Sequence, residues 1–183
     1  MGLDNAITNR RSIRRYKPDK VSKEQIDAIL DAGNKAPSAK NLQQWRFFVY
    51  TGDAKDKLVD YCLLEFDKIN TDPDEVNPYA RNSFEIMNDA PVSILVFNVE
   101  QMLHPSRPDI QSISAAIQNM LLKAYDLGLG SVWICDILYI DKKVQEYVKT
   151  GMKLIAAISI GYANHSPKDR RKLTVEDVTK WFE

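Results

Sequence analysis

The chain has 183 residues, 44% of them apolar and 27% charged, and its 25 basic residues balance its 25 acidic ones. That length fits one domain spanning 1–183 with a sizeable core, and the composition argues against a disordered or coiled-coil chain. Zero net charge speaks against whole-surface attraction to nucleic acid or an anionic membrane, and no apolar run approaches the roughly 18 residues of a membrane span.

The two cysteines, Cys62 and Cys135, allow no disulfide framework. Met1 to Arg11 has no apolar core of the kind a secretory signal needs, so the expected compartment is the reducing cytoplasm. His104 and His165 lie far apart, and neither is near a cysteine, so no metal site is expected.

In chain order, a short helix is predicted over Leu3 to about Asn9. A second follows Ser22, a Ser N-cap with Gln25 three residues on as the capping-box partner; its stripe is Ile26, Ile29 and Leu30, and Gly33 is the expected stop. The aromatic run Trp45 to Tyr50 predicts a strand bounded by Gly52. Asp53 then caps a helix to about Ile69. Residues 70–91 mix turn residues with one short helix, and Val92 to Val99 is a buried strand. Residues 100–110 are a loop, given Pro105 and Pro108.

Ile113, Ala116, Ile117, Met120, Leu121, Ala124 and Leu127 recur at helical spacing, which predicts a helix of about 17 residues ending at Gly128. A face that wide belongs to a buried central helix or to a subunit interface, and periodicity does not separate the two. Ser131 to Cys135 and Lys153 to Gly161 are further strands. After a basic loop over 164–172, Thr174 caps a last helix with Asp177 in its first turn. Apolar strands and long helices together define an α/β or α+β class.

Four segments carry candidate chemistry. From Arg10 to Lys20, six of eleven residues are basic and only Asp19 is acidic. Such a cluster is either a solvated turn or an anion site, and guanidinium matches phosphate in bidentate geometry. Ala36 to Trp45 joins a helix end to a strand start and is dense in uncharged hydrogen-bonding groups, suited to a heterocycle edge as well as to ordinary turns. Gly128-Leu129-Gly130 lacks the third glycine of a dinucleotide fingerprint, has Trp133 in its place, and follows a helix instead of a strand. These glycines fit a helix cap and turn, and Cys135 fits a small buried apolar filler better than a nucleophile. Finally, Lys168 to Lys172 holds four basic residues in five, a second anion candidate.

In this order the four segments resemble the nitroreductase-like family of FMN-dependent NAD(P)H oxidoreductases. The likeness runs through RRSIRRY, APSAKNLQQWRF, SISAAIQNMLLKAYDLGLGSVWI and IGYANHSPKDRRKLTVEDVTKW. It implies an α+β fold with a mixed, mainly antiparallel central sheet flanked by helices, built as an intertwined homodimer with FMN at the interface and the Ile113–Leu127 helix at its centre. Arg10 would bind the FMN phosphate, with Arg11 and Ser12 beside it and Arg170 and Lys172 closing on it. Arg14 would face the pyrimidine edge and stabilise the charge of the reduced ring. Pro37, Ser38, Ala39 and Asn41 would come from the partner, with Gln43 nearby. Trp133, Ile134 and Cys135 would line the other ring face.

The implied reaction takes hydride from NADH or NADPH and passes electrons to a small acceptor, a nitroaromatic, quinone or flavin, by a ping-pong cycle without a catalytic triad. Dehalogenation, flavin fragmentation, dehydrogenation, or flavin storage and sensing with little turnover are the alternatives on the same scaffold. The chain departs from the family pattern at Gln44, where Pro is common, and at Asp136, where Gly is common; a carboxylate there would sit near the flavin or point to solvent. Tyr79, Arg81 and Phe84 are candidates for the acceptor side.

Overall fold

The computed structural model describes residues 2–69, 78–102, 104–170 and 173–182. A four-stranded sheet forms the middle layer: β1 (Trp45–Thr51), β2 (Val92–Asn98), β3 (Gly130–Ile134) and β4 (Lys153–Gly161), in the order β1-β2-β4-β3. All three pairings are antiparallel, and the parallel element is a single bridge from Ser12 to Ser131. This is the α+β class expected from the sequence.

β2 and β4 are central and covered on both faces, so they are nearly continuous apolar runs instead of alternating ones. Leu95, Phe97, Leu154 and Ala157 face one core, and Val92, Ile94, Val96, Ile158 and Ile160 face the other. The first core is closed by α3 (Gly52–Ile69), α4 (Pro78–Asp89) and α6 (Asp141–Tyr147). The second is closed by α2 (Lys23–Asn34) and α5 (Pro108–Asp126). α1 (Leu3–Asn9) packs along α5. Among the described residues, no helix is long and apolar enough to cross a membrane.

Local chemistry explains the helix ends. The Ser22 hydroxyl accepts from the Gln25 N–H, and the Gln25 side chain accepts from the Ser22 N–H, a complete capping box. The Leu129 N–H bonds to Ala124 and the Gly128 N–H to Tyr125, with Gly128 at φ +77°, a glycine-closed helix end. Thr174 and Asp177 cap the four-residue helix α7 (Val175–Val178) in the same reciprocal way as Ser22 and Gln25.

Several expectations are corrected. Gly33 does not stop α2, which runs on to Asn34; a Cβ at Gly33 would lie 2.7 Å from Met120, so glycine is there because α5 crosses closely. The stripe Ile113, Ala116, Ile117, Met120, Leu121 and Ala124 is buried inside the protomer. Its apolarity therefore needs no subunit interface. The α4 helix is twelve residues long, more than the short helix expected within 70–91. The α6 helix has one buried residue, Val144, and so shows no periodic signal. Cys135 is exposed instead of buried.

Candidate active site

The segment after α1 is laced to the sheet residue by residue. The Ile13 N–H donates to the Ser131 carbonyl at 3.0 Å, and the Lys17 N–H donates to that of Tyr162 at 2.8 Å. The Asn164 N–H donates back to the Arg15 carbonyl at 3.0 Å. Ile13 seats against Gly130, where a Cβ would come within 2.7 Å of its side chain. Tyr16 is buried; its hydroxyl donates to the Ile13 carbonyl at 2.7 Å, and its N–H donates to Asp89 at 2.6 Å. With Ile13 and Tyr16 pointing in, Arg14 and Arg15 are left exposed and Arg10, Arg11 and Ser12 half-buried.

The same lacing brings the loop after β4 alongside. Arg10, Arg11, Ser12, Arg14 and Arg15 share one pocket of about 950 Å³ with His165, Lys168, Asp169, Arg170 and the α4 residues Tyr79 and Asn82. The two basic clusters, more than 150 residues apart in the chain, converge there. Lys172 and Arg171 lie outside the described residues. A smaller crevice of about 460 Å³ shares Arg10, Arg11 and His165 with that pocket and continues along Gly128 to Ser131.

Charge in the pocket is poorly compensated. Arg11 pairs with Asp169 at 3.1 Å and donates to the Thr8 and Arg10 carbonyls. Arg10, Arg14, Arg15, Lys168 and Arg170 have no acidic partner within 4 Å among the described residues. Burial, and then the neighbouring Arg11 charge, push the Arg10 guanidinium below its ordinary pKa. Ser131 Oγ and His165 Nδ1 are buried and unpartnered in this region, as is Trp133 Nε1 on β3. Leaving such an atom unsatisfied costs about 1–3 kcal/mol, so the arrangement is suited to an anionic, hydrogen-bond-rich ligand. Sequence reasoning missed Ser131 and weighed His165 only as a metal ligand.

The loop holding Pro37, Ser38, Ala39, Asn41 and Gln43 lies elsewhere. The Ala39 N–H donates to Ser112 Oγ at 3.0 Å, in the first turns of α5, whereas the crevice sits at the far end of that helix. At 1.5 Å per residue the two ends are on the order of 20 Å apart. One protomer therefore does not bring this loop to the basic pocket. Lys40, Asn41 and Gln43 all have positive φ, a strained run held by Ser38 Oγ, Ser112 and the Gln44 side chain. Gln44 is buried and donates to the Glu100 carbonyl at 3.0 Å, which ties the loop to the end of β2.

β3 starts beside the crevice and carries Trp133 and Ile134, half-buried and buried, to the exposed Cys135. Partial desolvation, and then the Asp136 carboxylate, push the Cys135 thiol up, so it is not an activated thiolate. Asp136 accepts a hydrogen bond from Ser83 of α4, which ties the carboxylate to that helix. Of the acceptor-side candidates, Tyr79 lines the pocket, and Arg81 is paired with Asp67 and Glu85. Phe84 is core, fully buried against Phe66.

In this three-layer α+β fold the N-terminal arginines and the post-β4 loop close one cation-lined pocket of a size that suits a small ligand. The Nitroreductase family model matches residues 7–162, and the chain belongs to that family. It is 38% identical over 133 residues to a Methanothermobacter thermautotrophicus protein named as an NADH dehydrogenase/NAD(P)H nitroreductase. That match covers 73% of this chain and 60% of the relative, so it spans less than two thirds of that protein. The fold superposes on a Desulfovibrio desulfuricans nitroreductase crystallised with FMN, with TM-score 0.80 and 31% identity over 100% of this chain and 99% of that one. A BluB-like flavoprotein of Clostridium difficile 630 superposes with TM-score 0.82 and 27% identity over the full length of both.

Proposed function

We propose that this protein is an FMN-dependent oxidoreductase that takes hydride from NADH or NADPH and delivers electrons to a small electron-poor acceptor in alternating half-reactions. The observation that carries this reading is the half-buried Arg10, with no acidic partner, in a pocket closed by residues from both ends of the chain. FMN supplies the hydride and electron chemistry when bound, and the protein supplies position and electrostatics.

Arg10 is the principal phosphate ligand, because Arg11 is already engaged by Asp169. Ser12 and Arg170 complete the phosphate site. Among the described residues Arg14 makes no ion pair and has one weak bond, 3.5 Å, to the Ser12 carbonyl; its guanidinium is therefore available to offset negative charge at the ring's pyrimidine edge. Trp133, Ile134 and Cys135 line the ring's other face. Pro37, Ser38, Ala39, Asn41 and Gln43 serve the partner's flavin in a homodimer. The separation of that loop from its own protomer's pocket supports this composite site.

The test is direct. Purified protein should be yellow and dimeric by light scattering, and should oxidise NADH or NADPH with a nitroaromatic or quinone. Colourless protein that takes up no FMN added in excess would refute it. The likeness to the BluB-like flavoprotein favours a second reading, different chemistry on the same cofactor. Products other than oxidised dinucleotide and reduced acceptor would identify that case.

A further inference from the structure

The cation-lined pocket holds more charge than one phosphate uses. Among the described residues, Arg10, Arg14, Arg15, Lys168 and Arg170 line it without an acidic partner, while the lining acid Asp169 pairs with Arg11. A phosphate monoester carries about two negative charges at neutral pH, which leaves roughly three cations over. This excess stands in a chain whose net charge is zero, so it is a local concentration and not an average property of the surface. The pocket is also large, about 950 Å³, and Tyr79 and Asn82 of α4 line it together with the arginines. A concave, single-sign wall focuses the field and raises the local concentration of oppositely charged solutes.

We infer that this pocket selects electron acceptors carrying their own anionic group, a carboxylate or phosphate, read by Arg15 and Lys168 beyond the cations assigned to the flavin. The inference rests on the proposed flavin reading. Both side chains are exposed and unpaired by acids, so they are free to meet a mobile ligand. The dinucleotide donor is anionic in any case, so the donor serves as the control and the acceptor as the test.

The experiment uses FMN-loaded protein and two pairs, each of one anionic and one neutral compound with the same reacting group. The acceptor pair is 4-nitrobenzoate and neutral 4-nitrobenzamide. In each, the nitro group takes two electrons and two protons and loses water to give the nitroso product, while NADPH becomes NADP+. The donor pair is NADH and neutral 1-benzyl-1,4-dihydronicotinamide, followed by anaerobic bleaching. For each pair the ratio of kcat/KM, or of bleaching rates, is measured at low and high ionic strength and again in the double variant Arg15→Gln, Lys168→Gln.

The charged-to-neutral ratio should fall at least about tenfold between low salt and a Debye length near 8 Å, and should fall likewise in the double variant. A fall in the acceptor pair supports the inference, whereas a fall confined to the donor pair reports only the phosphates of the dinucleotide and overturns it. Ratios that move with neither salt nor substitution in either pair would overturn the inference. Flavin retention is measured first on the same preparation. Failure of the flavin reading would appear there, and failure of charge selection only in the ratios.

Discussion

Arg10→Ala is the substitution whose outcome the structure defines best. The guanidinium is half-buried, has no acidic partner, and is disfavoured by burial and by Arg11. In the absence of a ligand, truncation removes like-charge repulsion and breaks no ion pair. The unliganded variant should therefore melt at or slightly above the wild-type temperature. With FMN the sign reverses. One charge-assisted phosphate contact contributes about 1.5–3 kcal/mol, which corresponds to roughly a tenfold to hundredfold rise in Kd. Flavin fluorescence quenching gives the Kd, and thermal melts with and without FMN give the linked stability. Arg10→Lys should recover charge but not bidentate geometry, and fall between the two. An unchanged Kd, or an unliganded variant that is strongly destabilised, would refute the assignment and make Arg10 a structural residue.

Arg14→Ala should retain FMN but slow its bleaching by NADH or NADPH in stopped flow, since one preorganised charge at a reacting centre is worth on the order of tenfold to a thousandfold. Gly130→Ala forces a Cβ against Ile13 and should cost about 1–3 kcal/mol by denaturant titration, with weaker FMN binding as Arg10 to Arg14 shift. Ser112→Ala leaves the Ala39 N–H without its partner and should raise the FMN Kd with little loss of the phosphate contact, measurable by comparing FMN with riboflavin. Asp109 is held below its ordinary pKa chiefly by its hydrogen bond from Arg107, so its stabilisation is present above the unfolded carboxylate value near 4 and lost as pH falls through the lower folded value. In Asp109→Asn, acid melts should lose that part of the pH dependence.

Local chemistry made much of the fold legible in the sequence. The Ser22–Gln25 and Thr174–Asp177 capping pairs, the Gly128 helix end and the mostly apolar, fully buried β2 are each specified by neighbours within a few residues, and all form as expected. The α6 helix was not legible, because a polar helix that buries only Val144 shows no period. Gly33 misled for a related reason: its role is close passage of Met120, a long-range contact that looks the same in sequence as a helix stop.

For the site, the residue types alone marked two basic clusters at opposite ends of the chain as either solvated turns or anion sites. Their meeting was a tertiary outcome, produced by the bonds from Ile13 to Ser131 and from Lys17 to Tyr162 that lay the N-terminal segment along the sheet. That the apolar face of α5 is covered within the protomer, how far its two ends hold the Ser38 loop from Arg10, and that Arg11 is spent on Asp169 while Arg10 is not, were likewise decided only by packing. Short-range propensity and capping act within one turn of chain and can be read there. Charge compensation and burial depend on which distant segments share a volume, and that is set only when the layers close.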